Sequence, residues 1–380
     1  MRSDIAIVGF YGSGSSAVID LLREFDNCGV ALDRDRKGRL RPYEHVLFYA
    51  NGGLFETGAL LTGVNSSYGS DKIICDFKDC MNRLNNNNFV SFGSYKWILG
   101  DKFMQATEKF LQEIGAVEMN NATYEHKVKT RFSPVMAALQ LAAKIVYKRP
   151  VYRWGKKNIN DKKPSFFCMP KEEQYFSAAQ KYVKAYLDMC AQKGKDYMIY
   201  DQLVCPQHTH IIKKYFDENF KMIMVVRDAR DVYSLSRYFW SKPPYGFSPP
   251  LPTDINEFAS FWSKNVSFDQ QYDNVKVIRF EDLVYQYDDT LKQIMDFIGL
   301  DGKNHVRKKA FFKPELSIKN TQTFTLDEEK LAQAQQIAEL LPDCIYDFPY
   351  EVKTSYGEMF DDSKEVNEKT SYNREKKQHD

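Results

Sequence analysis

The amino-acid sequence predicts an α/β fold, a doubly wound parallel sheet flanked by helices. Two patterns carry this prediction: short apolar runs bounded by turn residues recur along the chain, and stretches with helical spacing of apolar residues follow them. Strands that read as continuous apolar runs are typical of parallel sheets, which helices cover on both faces. A chain of 380 residues, of which 43% are hydrophobic, can fill such a core.

Four apolar runs are the candidate strands, namely residues 5–8, 197–200, 222–226 and 275–280. After the last run, apolar residues repeat with helical spacing up to Gly299, a residue typical of the left-handed end of a helix. Thr325 and Glu328 stand three residues apart and predict a capping box at the start of a final helix. Such sheets bind ligands at the carboxyl ends of their strands, so the site is expected there.

Composition divides the chain into one large domain and a tail. We expect an α/β domain over residues 1–350, with a helical, basic insertion at about residues 125–175. Residues 351–380 are rich in charge and poor in aliphatic side chains, which predicts a solvated, disordered tail.

The strongest local charge lies in the insertion, where residues 144–163 contain eight basic residues and one acidic residue. Two interpretations stay open. The segment is either the solvated end of a packed helical excursion or a surface for an acidic glycan or an anionic membrane face. Because the positive charge is local and the whole chain carries only +2, no nucleic-acid partner is expected.

Cysteine usage and hydropathy bear on the compartment. The seven cysteines form no CxxC pair and no cluster with metal-binding spacing, which favours a reducing compartment and predicts no metal site. No apolar run of about 18 residues occurs, so no membrane span is expected. The first residues lead directly into a strand pattern, which is not typical of a secretory signal. We therefore predict a cytoplasmic protein, with peripheral membrane contact through residues 144–163 as the alternative placement.

The first candidate strand leads into a loop of glycine and serine and then into a helical pattern; residues 9–16 are called the phosphate loop below. Glycine lets the backbone approach an anion, and the start of the next helix offers unpaired N–H groups to phosphate oxygens. The groups expected to hold the phosphate belong to Ser13, Gly14, Ser15 and Ser16. Gly9 and Gly14 match the spacing of the nucleoside triphosphatase loop, but Ser15 stands where that motif requires lysine, which disfavours an ordinary ATPase.

Arg227 directly follows the third candidate strand, which would deliver it to the same edge of the sheet as the phosphate loop. The guanidinium fork of arginine pairs bidentately with phosphate, and the hydroxyls of Ser234 and Ser236 on the following helix are available to complete a cradle. The alternative is structural, with Arg227 paired to Asp228 or Asp231 at the start of that helix.

Together these two segments resemble the sulfotransferases that use 3′-phosphoadenosine 5′-phosphosulfate (PAPS). The phosphate loop looks like the family's 5′-phosphosulfate loop, and residues 227–232, RDARDV, look like its 3′-phosphate site. The resemblance implies that the phosphate loop from Gly12 onwards binds the 5′-phosphosulfate and that Arg227 binds the 3′-phosphate. It implies PAPS as co-substrate and no metal.

Three further segments are typical of the same family. Residues 277–300 resemble one family segment, and residues 201–206, which lead toward the strand before Arg227, resemble another. Residues 317–321, which include Lys319 and Asn320, resemble the late segment that closes over the nucleotide. The resemblance extends over about residues 1–30 and 195–345, in the order that the family has.

The phosphate loop departs from the family at Gly12, where the family usually carries lysine or arginine. That cation stabilises the charge that builds on the leaving phosphate, so its absence bears on catalysis more than on binding. Three side chains are candidates to replace it, and the sequence does not choose among them: Lys319, Lys96 and Arg34.

Transfer of a sulfuryl group also needs a base to take the proton of the acceptor hydroxyl. In the family this base lies after the first helix, near the end of the next strand. The chain offers Glu44, His45 and Glu56 in this region, with Glu44 the first choice and His45 the second. The alternative for all three is a surface carboxylate or imidazole with an ordinary pKa.

The sequence therefore predicts a PAPS-dependent sulfotransferase that acts on a hydroxyl of a saccharide or a glycolipid. Two alternatives stay open. One is an atypical nucleotide-dependent kinase, which would require ATP and magnesium, and Ser15 at the lysine position weighs against it. The other is a catalytically degenerate nucleotide-binding protein, with Gly12 as the sign of lost catalysis.

Overall fold

A parallel sheet of five strands lies at the centre of the protein. The structure, a computed structural model, describes residues 2–31, 45–63, 70–86, 95–119, 165–239, 251–266 and 272–353 and the single positions 142, 145, 146, 355 and 359. The strands of this part are β1 (Ser3–Gly9), β2 (Cys28–Val30), β3 (Val117–Met119), β4 (Ser165–Phe167), β5 (Tyr197–Asp201), β6 (Lys221–Val226) and β7 (Val275–Arg279).

The strand order is β2-β5-β1-β6-β7, and every neighbouring pair is parallel. In the centre, Ile7 of β1 pairs with Asp201 of β5 on one side and with Ile223 of β6 on the other. The sheet extends in both directions from β1, which makes the carboxyl end of β1 the switch point where ligands bind in such folds. The predicted doubly wound α/β class is confirmed.

Helices connect and cover the strands. They are α1 (Ser15–Arg23), α2 (Leu54–Thr62), α3 (Ser70–Asn86), α4 (Tyr95–Leu99), α5 (Lys102–Glu113), α6 (Glu172–Cys190), α7 (Ile212–Tyr215), α8 (Ala229–Ser234), α9 (Ile255–Asn265), α10 (Phe280–Tyr285), α11 (Tyr287–Ile298), α12 (Pro314–Ser317) and α13 (Glu328–Leu340). Short 3₁₀ turns lie at Pro206–Ile211, Gly302–Asn304, Ile318–Asn320, Thr323–Thr325 and Pro342–Cys344, and a π-helix spans Leu235–Phe239.

The two faces of the sheet bury separate apolar layers because successive side chains of a strand point to opposite sides. In β1, Ile5 and Ile7 pack with residues of α1, α10 and α11. Ala6 and Val8, which alternate with them, pack with residues of α5, α6, α9 and α13. All four side chains are fully buried, so β1 lies between the two apolar layers.

The far end of α1 is fixed by one buried carboxylate. Glu24 is 0% exposed and accepts a hydrogen bond from His305 Nε2 at 2.7 Å. It also accepts from the backbone N–H groups of Lys309, Phe311 and Phe312 at 2.9, 3.1 and 3.0 Å. Four donors from the loop after α11 therefore converge on the helix that begins in the phosphate loop.

Most of the predicted insertion at residues 125–175 lies outside the described residues, and its described end contains β4 and the start of α6. β4 pairs with β3 in a separate antiparallel sheet. The basic segment 144–163 and the predicted tail also lie almost wholly outside the described part. Of the helices that are described, none combines the length and the apolar character that crossing a membrane requires.

Element boundaries differ from the predictions at two places. Phe280 begins α10 instead of ending the strand before it. The final helix exists, but its N-cap is Asp327, whose side chain accepts from the Lys330 N–H at 2.9 Å, and not Thr325. The predicted end at Gly299 is confirmed, because this residue closes α11 with φ of +85°.

Candidate functional site

The phosphate loop lies at the carboxyl end of the central strand, between β1 and α1. Gly12 and Gly14 have φ of +76° and +89°, a left-handed conformation that L side chains rarely adopt. A hydrogen bond of 2.9 Å from the Ser13 N–H to the Phe10 carbonyl closes the turn. A Cβ atom on Gly14 would lie 2.4 Å from the Phe280 ring, so close packing requires glycine there as well.

The start of α1 carries the donors that the sequence predicts for an anion. The first backbone N–H groups of a helix have no acceptor within the helix, and no side chain of the described residues caps α1. Ser13 was expected to help hold the anion. In the structure its N–H is used in the turn and its side chain is buried. The N–H groups of Gly14, Ser15 and Ser16 remain, next to the half-buried side chain of Ser15 and the exposed one of Ser16.

Arg227 connects the phosphate loop to the late segment of the chain. Its side chain is buried, with the residue 1% exposed, and the guanidinium carbon lies 4.7 Å from the centre of the Phe280 ring. Nη1 donates to the Gly12 carbonyl at 2.9 Å, and Nη2 donates to the Asn320 carbonyl. Nε has no hydrogen-bond partner among the described residues. A buried charged donor with an unused N–H is the feature expected of an anion site.

Three buried carboxyl groups surround this arginine and its neighbour Arg230. Asp231 lies 3.8 Å from Arg227 Nη2. Asp228 forms an ion pair with Arg230 at 2.7 Å. Glu281 accepts a hydrogen bond from the Asp228 N–H at 2.9 Å, and its second oxygen has no partner in the described part of the chain. The alternative predicted for Arg227 was an ion pair with Asp231 at the start of α8. The structure contains this pair as a long contact, in addition to the hydrogen bond from Arg227 to the Gly12 carbonyl.

Burial favours the protonated form of two carboxyl groups in this cluster. Burial raises the pKa of Glu281 to about 8, an effect that nearby Arg227 opposes. Burial also raises the pKa of Asp231, again against the lowering effect of Arg227. With Glu281 protonated at neutral pH, the cluster carries one negative charge fewer next to Arg227.

Replacing Glu281 with glutamine is expected to remove part of the pH dependence of stability. Between about pH 4.5 and pH 8 the folded protein keeps a proton on Glu281 that the unfolded chain has lost, so wild-type stability falls as the pH rises through this range. The glutamine side chain has no proton to lose. Thermal unfolding at both ends of the range should therefore show a smaller loss of melting temperature for Glu281→Gln, and equal losses for both proteins would contradict the buried, protonated carboxyl.

The late segment closes against α8 and Arg227. Asn320 accepts from Arg227 as described, and Lys319 precedes it in the same 3₁₀ turn. Asp231 accepts from the backbone N–H of Gln322 at 2.9 Å and of Thr323 at 2.6 Å. The structure therefore brings together the phosphate loop, the Arg227 segment and the late segment, as the sequence predicts.

The two candidate serines of the cradle differ in their surroundings. Ser234 is buried and its hydroxyl donates to the Thr323 carbonyl at 3.4 Å. Ser236 lies in the π-helix that follows α8, is buried as well, and has a hydroxyl without a partner among the described residues. A π-turn adds one residue to a helix. The number of residues between Arg227 and Ser236 therefore does not give their relative position as it would in a regular α-helix. Ser236 is the hydroxyl that remains available to a ligand.

The two candidate bases within the described residues, His45 and Glu56, form their hydrogen bonds outside the phosphate loop. Glu44 lies outside the described residues. His45 is 1% exposed, its Nδ1 lies 2.7 Å from the Tyr186 hydroxyl, and burial lowers its pKa to about 3. His45 Nδ1 contacts the Tyr186 hydroxyl and not the phosphate loop, which favours a packing role. Glu56 accepts a hydrogen bond from the Gly52 N–H at 2.5 Å and so closes the turn before α2.

The candidates for the missing loop cation are placed unequally. Arg34 lies outside the described residues. Lys96 is exposed on α4. Lys319 is half-buried and adjacent to Asn320, whose carbonyl contacts Arg227. Within the part that is described, no group of three or more His, Cys, Asp or Glu side chains is placed to hold a metal ion.

One residue that touches the phosphate loop was not predicted. Gln202 follows β5 directly, and its Nε2 donates to the Gly9 carbonyl and to the Ser15 hydroxyl, each at 3.2 Å. Its backbone has φ of +48°, which is uncommon for a residue other than glycine. The signal that could have found it is its position, since the residue after β5 lies at the same edge of the sheet as the loop after β1.

Comparison with known proteins gives one family. The model described as "Sulfotransferase family" matches residues 111–304, about half of the chain. The match includes Arg227 and Glu281 and begins after the phosphate loop. No curated protein matches the chain in sequence.

Three solved structures are similar over most of the chain. They are a sulfotransferase domain from the olefin synthase of Synechococcus PCC 7002 (16% identity, 92% of this chain, 95% of that chain, TM-score 0.35), a sulfotransferase domain from the curacin biosynthetic pathway (13%, 98%, 98%, TM-score 0.33) and a sulfotransferase from Mycobacterium avium (8%, 93%, 79%, TM-score 0.34). At these TM-scores the fold assignment rests on the parallel sheet itself and not on these structures.

Proposed function

Because the chain belongs to the sulfotransferase family, we propose that it transfers a sulfuryl group from PAPS to a hydroxyl of an acceptor. The observation that carries the proposal is the buried guanidinium of Arg227, which donates to the Gly12 carbonyl of the phosphate loop and keeps an unused Nε. A donor with phosphates at both ends of its ribose would meet the phosphate loop on one side and Arg227 on the other.

The proposed roles follow from the groups that the protein leaves unused. The N–H groups of Gly14, Ser15 and Ser16 and the Ser15 and Ser16 hydroxyls would hold the 5′-phosphosulfate. Arg227 Nε and the Ser236 hydroxyl would hold the 3′-phosphate, because both are buried donors without a partner among the described residues. Both Arg227 Nη atoms already donate to backbone carbonyls, so a bidentate contact to phosphate would displace the Asn320 carbonyl.

In the proposed reaction the acceptor oxygen forms a bond to sulfur while the bond from sulfur to the 5′-phosphate oxygen breaks, which releases adenosine 3′,5′-bisphosphate. A base takes the acceptor proton, and Glu44 stays the first candidate for this role. Positive charge near the leaving phosphate lowers the barrier. Lys319 is the proposed source of this charge, since it belongs to the segment that contacts Arg227.

The acceptor is proposed to be a saccharide or a glycolipid, and the protein is proposed to act in the cytoplasm. Residues 144–163, with their eight basic side chains, are the proposed contact with an acidic glycan or an anionic membrane face. One observation favours a second candidate function, a nucleotide-binding protein that has lost catalysis. Gly12 provides no cation in the phosphate loop.

Incubation with PAPS labelled in its sulfuryl group, together with mixed saccharides and glycolipids, tests the proposal. The expected result is a labelled acceptor and adenosine 3′,5′-bisphosphate in equal amounts, with loss of both products for Lys319→Ala. Tight binding of adenosine 3′,5′-bisphosphate without labelled product from any acceptor class would favour the degenerate binding protein. Absence of nucleotide binding would contradict both.

A further inference from the structure

We propose that Gln202 is a positioning residue that orients the Ser15 hydroxyl of the phosphate loop toward a bound anion. The inference rests on the proposed function, because it concerns the site that would hold the 5′-phosphosulfate. It adds a residue from the end of β5, a strand that carries none of the predicted phosphate ligands.

The hydrogen bonds of Gln202 connect the carboxyl end of β5 to the carboxyl end of β1, at the switch point of the sheet. Its backbone N–H donates to the Ile7 carbonyl of β1 at 2.9 Å, which continues the pairing of β5 with β1 by one residue. Its side-chain Nε2 lies 3.2 Å from the Gly9 carbonyl and 3.2 Å from Ser15 Oγ. One side chain therefore spans the phosphate loop from the last residue of β1 to the first residue of α1.

The direction of these hydrogen bonds follows from chemistry. A carbonyl oxygen only accepts, so the group of Gln202 that faces Gly9 must be the amide nitrogen. The second N–H of this nitrogen then points to Ser15 Oγ, which accepts it. A hydroxyl that accepts from one side keeps its own proton for another partner. Ser15 is thereby left as a donor, which is the role that a bound phosphate or sulfate needs.

The backbone of Gln202 supports a functional role for these contacts. Its φ of +48° lies in the left-handed region, where a residue other than glycine is strained. Glycine would adopt this conformation at lower cost but could not reach Gly9 or Ser15. Strained backbone of this kind clusters at functional sites, where the surrounding structure holds it.

Isothermal titration with adenosine 3′,5′-bisphosphate tests the proposal, using Gln202→Met, Gln202→Gly, Ser15→Ala and the double variant Gln202→Met/Ser15→Ala. Methionine keeps the length of the side chain without its donors, and glycine removes the backbone strain. Lys309→Gly is the matched control, because Lys309 has a similar φ of +58° away from the phosphate loop. Thermal unfolding of each variant separates loss of binding from loss of folding.

We expect Gln202→Met and Gln202→Gly each to weaken bisphosphate binding about tenfold, while Lys309→Gly leaves it unchanged. Gln202→Gly should melt no lower than wild type. If Gln202 acts through Ser15, the double variant binds about as weakly as Ser15→Ala alone. Unchanged affinity in the Gln202 variants, or losses that multiply in the double variant, would overturn the inference. Failure of the wild type to bind would instead overturn the proposed function.

Discussion

Replacement of Arg227 by alanine is expected to weaken binding of adenosine 3′,5′-bisphosphate by about a hundredfold or more. The guanidinium is the charged donor that joins the phosphate loop to the late segment, through the carbonyls of Gly12 and Asn320. Its loss removes the contact proposed for the 3′-phosphate and also releases the two segments that surround it. Isothermal titration of both proteins measures the effect.

Two further variants keep this prediction falsifiable. Arg227→Lys retains the charge beside Asp231 but not the fork, and we expect about a tenfold loss of affinity with a folded protein. Arg2→Ala is the matched control, since Arg2 is a partly buried arginine paired with Asp4 at the amino end of the same sheet. Wild-type affinity in Arg227→Ala, or an equal loss in Arg2→Ala, would contradict the assignment of the 3′-phosphate site.

Replacement of Glu24 by alanine is expected to lower the free energy of unfolding by about 3–5 kcal/mol. The substitution leaves four donors without their buried acceptor. His305 Nε2 and the Phe312 N–H are buried, and the N–H groups of Lys309 and Phe311 are partly buried. Denaturation with urea, followed by circular dichroism, measures the change.

The control for Glu24 lies on the same helix. Asp20 forms an ion pair with Arg23 at 2.9 Å in which both side chains stay partly exposed, and exposed pairs contribute at most about 1 kcal/mol. Asp20→Ala should therefore change stability little. If Glu24→Ala lowered the free energy of unfolding no more than Asp20→Ala does, the hydrogen bonds to Glu24 would not hold α1 in place.

The sequence predicted the sheet because its strands are buried on both faces and therefore read as apolar runs. Residues 5–8, 197–200 and 222–226 each fall within an observed strand. β2 escaped prediction because three residues, Cys28–Val30, are too short a run to show periodicity. The cap at Asp327 was missed because Thr325 and Glu328 have the spacing of a capping box. In the structure Thr325 ends the 3₁₀ turn that precedes the helix, and Asp327 is the N-cap.

The candidate site, like the fold, could be predicted from the sequence only in part. Glycines and an arginine at the ends of strands can be read from the sequence, since topology alone brings those ends together. The burial of His45 against Tyr186 could not be predicted, because it depends on where α6 packs. The contact of Gln202 with Ser15 depends on the left-handed backbone of Gln202, and a glutamine in the sequence does not predict that conformation. Glu44, the first candidate base, stays a prediction.

The most direct test of the central claim is a titration of the purified protein with adenosine 3′,5′-bisphosphate and, separately, with ADP and magnesium. A site made of the phosphate loop and Arg227 should bind the bisphosphate without magnesium, and Arg227→Ala should lose that binding. Preference for ADP with magnesium, unchanged in Arg227→Ala, would contradict the PAPS site and would favour a nucleotide-dependent kinase.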